Sequence, residues 1–197
     1  GAETQLRLMY TRHMKELKLT GNYLKNKKKK SEFEQLAYKN IGSFFSEAEK
    51  AVQLLAESQF QERLSYAKKT GELCHGSYNY HNIIFSNGNT AVTNFDKYKN
   101  ECQISDLYQF MRKILEKYDW DIQTAYKMME EYDKIKPVSD TERALLAALF
   151  AFPEKFWKVM NYYFNSNKAW IPPKTKEKLE KVVQQNEKRQ KFLETLL

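Results

Sequence analysis

One stretch of the chain concentrates side chains able to do chemistry: His75-Gly76-Ser77-Tyr78-Asn79-Tyr80-His81-Asn82, followed by Asn94-Phe95-Asp96. A histidine, a serine and an aspartate (His75, Ser77, Asp96) suggest nucleophilic hydrolysis. However, no Gly-x-Ser-x-Gly elbow is present, and a histidine two residues before a serine on one loop rarely reaches its hydroxyl. The asparagines and Asp96 suit a different task, because amide and carboxylate oxygens presented from neighbouring strand ends can share a ligand or an ion. The same amides can equally serve the loop itself, since asparagine readily bonds backbone groups in turns. Spacing alone leaves both readings open.

These residues need a scaffold, and the flanking sequence supplies one. Ile83-Ile84-Phe85 and Thr90 to Thr93 are β-prone runs joined through Ser86-Asn87-Gly88-Asn89. Asn-Gly at the centre predicts a type I′ hairpin, whose two central residues both need positive φ. In that register Ser86 faces Asn89, Asn82 faces Thr93 and His81 faces Asn94, making Asn82 and Asn94 diagonal neighbours. Elsewhere apolar residues recur at threes and fours. The pattern predicts one helix from Gln5 to Leu19, broken by Gly21-Asn22, and another from Ser31 to about Lys69, stopped by Gly71. Helices resume after Gln103, with one stripe through Leu107, Met111 and Leu115 and another helix over Trp120 to Tyr132. Ser139-Asp140-Thr141-Glu142 reads as a capping box, Pro153 as a kink or restart, and Pro172-Pro173 as the lead-in to a lysine-rich last helix. The fold class is mainly α (α+β): residues 1–70 helical, 71–96 loop and hairpin, 103–197 helical.

Composition narrows the functions. The chain has 197 residues, a net charge of +8, 14% aromatic residues, and only 6 glycines and 4 prolines, which favours long helices. Its longest apolar run, Ala144 to Phe152, falls well short of the roughly 20 residues of a membrane span. No basic-then-apolar leader is visible, and a first residue of glycine points to an excised fragment. Cys74 and Cys102 form neither a Cys-x-x-Cys pair nor a His/Cys cluster, so they read as half-buried free thiols rather than zinc ligands. The Lys27–Lys30 run and the lysines from Lys174 to Lys191 raise nucleic-acid binding. Yet Lys174, Lys176, Lys178 and Lys181 alternate with Glu177 and Glu180, as on a solvated helix face, so nucleic acid is not an expected partner. The aromatics from Phe150 to Phe164 read as core, in numbers exceeding what one helix face needs.

The stretch from Gly71 to Asp96 resembles the catalytic hairpin of the kinase-like aminoglycoside and choline phosphotransferases. That superfamily carries His-Gly-Asp, then Asn, then Ile-Asp-Phe/Trp-Asp/Glu, and Asp106-Leu107 matches its recurring Asp-Leu. A second stretch, Phe152-Pro153-Glu154-Lys155-Phe156-Trp157 with Asn161-Tyr162-Tyr163 and Lys168-Ala169-Trp170, is similar to the CotS family of bacterial spore coat proteins within that superfamily. The resemblance covers roughly Phe33 to Leu193. It implies that residues 1–197 form the C-terminal lobe of a protein-kinase-like fold, a helical bundle whose hairpin carries the former catalytic site, with the N-terminal lobe outside this chain.

The departures from the pattern carry the functional expectation. The carboxylate that accepts the attacking hydroxyl's proton in active relatives is here Ser77, and their metal-binding aspartate is here Asn94. Asn82 matches the second metal ligand, and Asp96 keeps one carboxylate nearby. Phosphoryl transfer depends on positioning and on charge stabilisation by Mg²⁺. Losing a general base alone costs about 10²–10⁴ in rate. No Gly-x-Gly or Walker A loop occurs either. The resemblance therefore implies a noncatalytic, spore-coat-related protein, in the spore coat or cytoplasm of a spore-forming bacterium, with degenerate motif positions His75, Ser77, Asn82, Asn94 and Asp96, no cofactor, and other coat proteins as partners. The alternative is a phosphotransferase or nucleotide-binding protein that uses Asn82 and Asp96 for the metal of ATP/Mg²⁺.

Overall fold

A computed structural model describes residues 5–57, 59–166 and 170–197. The chain divides into two compact units, one of residues 1–56 and 151–190, the other of residues 57–150 and 191–197.

The first unit is built from α1 (Gln5–Asn26), α2 (Glu32–Glu57), α7 (Glu154–Asn165) and most of α8 (Lys174–Leu196). Contrary to the predicted break, α1 runs through Gly21-Asn22. Leu24 is fully buried on the added turn, and burying a leucine is worth about 1.5–3 kcal/mol against about 1 kcal/mol for a helical glycine. Two members of the lysine run that follows are tied down. Lys27 pairs with Glu34 at 2.5 Å, and Lys30 donates to the Lys27 carbonyl at 2.8 Å. Ser31 and Glu34 exchange side-chain-to-backbone bonds as a capping box that starts α2.

The surplus aromatics of the first unit are used in ring pairs. Phe152, Phe156, Trp157 and Tyr163 stack respectively on Tyr10, Phe44, His13 and Phe33, with centroids 3.6–4.1 Å apart. Offset stacking of this kind adds to the burial term. Tyr162 and Trp170 remain exposed. Pro153 restarts the chain as α7 after the preceding helix ends. Of the second family-like stretch, Lys168-Ala169 lies outside the described residues.

In the second unit, α3 (Phe60–Thr70) is separate from α2, so the single helix predicted over 31–69 is in fact two. Gly71 ends α3 at φ +72, the left-handed cap that its sequence position suggested. Next come β1 (Leu73–Cys74), a 3₁₀ turn (Tyr80–Asn82), β2 (Ile83–Ser86), β3 (Asn89–Val92) and β4 (Lys99–Asn100). β2 and β3 form the expected hairpin with Ser86 opposite Asn89, and Asn87 and Gly88 turn at φ +48 and +77. β1 pairs antiparallel with β4 in a second two-stranded ribbon. Then follow α4 (Ile104–Lys117), α5 (Ile122–Ile135) and α6 (Asp140–Ala151). The α5 start lies two residues beyond the predicted one because the Asp121 carboxylate caps the Thr124 N–H at 2.9 Å. Ser139 and Glu142 form the predicted capping box.

The core of this unit gathers Tyr108, Trp120, Phe150 and Phe192 edge to face or tilted. Beside it Arg63 pairs with Glu142 at 2.7 Å and with Glu72 at 2.8 Å, while Lys136 reaches Glu72 at 3.0 Å. Among the described residues no helix is long and apolar enough to cross a membrane.

Candidate functional site

The loop from His75 to Asn82 hangs between two anchored rails. Glu72, just before β1, accepts the Gln103 backbone N–H at 2.9 Å as well as Lys136 and Arg63. Burial alone would raise its pKa. The bonds from Gln103, Lys136 and Arg63 outweigh burial and hold the carboxyl below its usual range. The start of β1 is thereby fixed to the start of α4.

Asp106, in the first turn of α4, then clamps the loop directly. Its carboxylate accepts the His75 N–H at 2.6 Å and the Gly76 N–H at 3.0 Å. Charge-assisted bonds to two successive amides are among the stronger ones available to a loop. Gly76 itself sits at φ +78, and a Cβ there would lie 1.9 Å from the Lys97 carbonyl oxygen. Only glycine allows the Lys97 backbone to cross so closely.

His75 is buried and acts as a brace. Its Nδ1 accepts the Ser77 N–H at 3.1 Å, and its Nε2 lies 2.8 Å from the Thr93 carbonyl. A backbone N–H can only donate and a carbonyl can only accept, so the ring is held as the Nε2–H tautomer. Neither nitrogen is left to take a proton from the Ser77 hydroxyl, which rules out the hydrolase arrangement for these residues.

The remaining polar groups bond mainly to one another. Asn82 Nδ2 donates to the Ser77 carbonyl at 2.7 Å and lies 3.5 Å from its hydroxyl. Asn79 Nδ2 also donates to the Ser77 carbonyl, at 3.1 Å, while its Oδ1 accepts the His81 N–H and caps the 3₁₀ turn. Asn94, at φ +63, donates from Nδ2 to Asn82 Oδ1 at 3.4 Å, the diagonal contact expected from the hairpin register. The Thr93 N–H reaches the Asn82 carbonyl at 2.9 Å, also as expected. The predicted facing of His81 and Asn94 does not form. The 3₁₀ turn takes up His81, and the ladder stops at Ile83–Val92.

The structure thus joins His75, Ser77, Asn82 and Asn94 in one hydrogen-bonded cluster. Asp96 is exposed and forms no hydrogen bond or ion pair among the described residues. These residues do not fit a divalent cation well. Magnesium is usually held by one or two carboxylates together with phosphates. Here Asn82 Oδ1 faces the Asn94 amide, the 77 position is a neutral hydroxyl, and Asp96 is the one carboxylate of the set. Among the described residues no group of three or more His, Cys, Asp or Glu side chains could hold a metal.

The two thiols near this scaffold are free and fully buried rather than half-buried. Burial pushes Cys102 up to about 11, and it raises Cys74 further, with Asp106 and Glu101 adding to the effect. Sequence reasoning missed the clamp by Asp106, the cap by Asn79 and the β1–β4 ribbon. Only Asp106 carried a signal, as part of the Asp-Leu pair.

Comparison with known proteins gives the family and the fold. The family model described as "Spore coat putative kinase YutH" matches residues 5–196. Spore coat protein S of Bacillus subtilis (strain 168) is 20% identical over 166 residues, which cover 83% of this chain and 47% of that protein. A crystal structure of an aminoglycoside phosphotransferase from Alicyclobacillus acidocaldarius superposes with a TM-score of 0.90 at 19% identity, over 98% of this chain and 58% of that one. The chain spans about half the length of these relatives. It belongs to the YutH family of kinase-like spore coat proteins and carries their phosphotransferase-like fold.

Proposed function

We propose that this chain is a noncatalytic kinase-like domain of the spore coat of a spore-forming bacterium, working through contacts with other coat proteins and needing no cofactor. The observation that carries the reading is the contact between the Asn94 amide and Asn82 Oδ1, beside a serine at position 77. Where relatives place two carboxylates, this loop places neutral groups that satisfy each other. General-base catalysis and metal clamping are weakened at one site, and each is a large contribution to phosphoryl transfer.

The test is ATP turnover by the full-length protein, compared with the Ser77→Asp/Asn94→Asp double variant. Negligible wild-type turnover in the presence of Mg²⁺ supports the reading, and gain of turnover in the variant strengthens it. Substantial wild-type turnover overturns it. A second reading draws on the exposed carboxylate of Asp96, which with Asn82, once its Oδ1 leaves the Asn94 amide, would hold the metal of a bound nucleotide. Protection of the full-length protein by ATP against thermal unfolding, present only with Mg²⁺ and lost in Asp96→Asn, would favour it.

A further inference from the structure

The second family-like stretch has no part in the hairpin, yet it builds a cleft of its own. In α7, Trp157, Met160, Asn161, Phe164 and Asn165 stand at i, i+3, i+4, i+7 and i+8, a single helix face. Opposite them α1 presents Glu16, Leu17, Leu19 and Thr20, and the space between is about 200 Å³. For scale, a cavity of roughly 150 Å³ takes benzene, so this one holds a side chain rather than a large cofactor.

The chemistry of the walls is uneven in a useful way. The floor is apolar, with Leu17 and Met160 both buried. Aromatic rings from Trp157 and Phe164 border it. Among the described residues Glu16 is the one acidic or basic side chain in the lining. Its Oε2 accepts the Trp157 indole N–H at 2.9 Å, which fixes both groups. His13 stacks on a face of the same indole, with ring centroids 3.6 Å apart. Arg12 stands 3.7 Å from Glu16 Oε1, but that guanidinium is 70% exposed and the pair is worth little. On the opposite wall Asn161 Oδ1 accepts from Asn165.

We propose that this cleft binds a primary alkylammonium group, supplied as a lysine side chain of a partner polypeptide. The aliphatic stem lies along Leu17, Met160 and the rings. The ammonium meets the Glu16 carboxylate and the Asn161 amide oxygen. Aromatic faces and a single fixed carboxylate together attract a cation with an apolar stem. A neutral stem gains only the floor, and an anion meets Glu16.

The test follows the indole N–H resonance of Trp157 in the ¹⁵N-labelled chain, assigned by its loss in Trp157→Phe. The probes are Nα-acetyl-lysine amide, n-pentylammonium and Nα-acetyl-norleucine amide, each added to about 50 mM, a range that captures weak single-side-chain binding. A saturable shift with the lysine amide, about tenfold weaker with the norleucine amide and in Glu16→Gln, is the expected result. Glutamine keeps an acceptor for the indole N–H, so unchanged Trp120 and Trp170 resonances certify that the variant is folded. Tighter binding of the lysine amide than of n-pentylammonium assigns the site to a polypeptide. The reverse order overturns the partner and leaves a free amine site. No shift, or equal shifts with lysine and norleucine, overturns the cleft as a cation site.

Discussion

The molecule holds two buried histidines of equal exposure, 7% each, in two regions built on different principles. His75 lies in the loop before the hairpin, with both ring nitrogens bonded to backbone. His13 lies among the stacked rings of α1 and α7, pressed face to face against Trp157. The loop takes its shape from directional bonds and one steric demand at Gly76. The ring region takes its shape from apolar area. Equal burial therefore says little about what a histidine does; the partners of its two nitrogens say most of it.

The contrast can be broken in three ways. Phe156 is fully buried and stacks on Phe44. Phe156→Ala should cost about 3–5 kcal/mol in chemical denaturation, the usual range for emptying an aromatic site. A loss below 1 kcal/mol would mean that the ring pairs are not what holds α7. Gly76→Ala should cost about 3 kcal/mol, because the added methyl meets the Lys97 carbonyl and the backbone has positive φ. Amide exchange should accelerate at His75 and Gly76, whose N–H groups Asp106 holds, before it does so in α7.

The smallest effect is in pH. Burial lowers the His13 pKa from 6.5, Glu16 opposing, Arg12 reinforcing and Glu154 opposing. The unfolded chain then takes up a proton before the folded one does. Stability is full above the ordinary histidine value of about 6.5 and falls as pH drops below it. Denaturation midpoints at pH 7 and pH 5 should differ in this direction, and His13→Phe should shrink the difference. An unchanged slope in that variant would place the titration elsewhere.

Local signals carried much of the fold. Asn87-Gly88 announced the turn and its register, Gly71 the end of α3, and Ser139 with Glu142 the start of α6. What escaped was decided at long range. The β1–β4 ribbon pairs two residues with two, too few for any alternation to be visible. α1 passes Gly21 because Leu24 finds a buried place, which no window around residue 21 can foresee. The break between α2 and α3 carries neither glycine nor proline. At the site, residue types marked His75, Ser77, Asn82 and Asn94 as a group. The bond from Asp106 to His75 spans 31 positions and leaves no periodic trace.

Gly76, Asp106 and the His75 ring set the course of the loop through backbone atoms, and none of them depends on a charge at position 77 or 94. The frame and the reactive groups are thus separable inheritances. A side chain at either position can change without the polypeptide forgetting how to fold, and a protein engineer could place acids there in a mould that keeps its form.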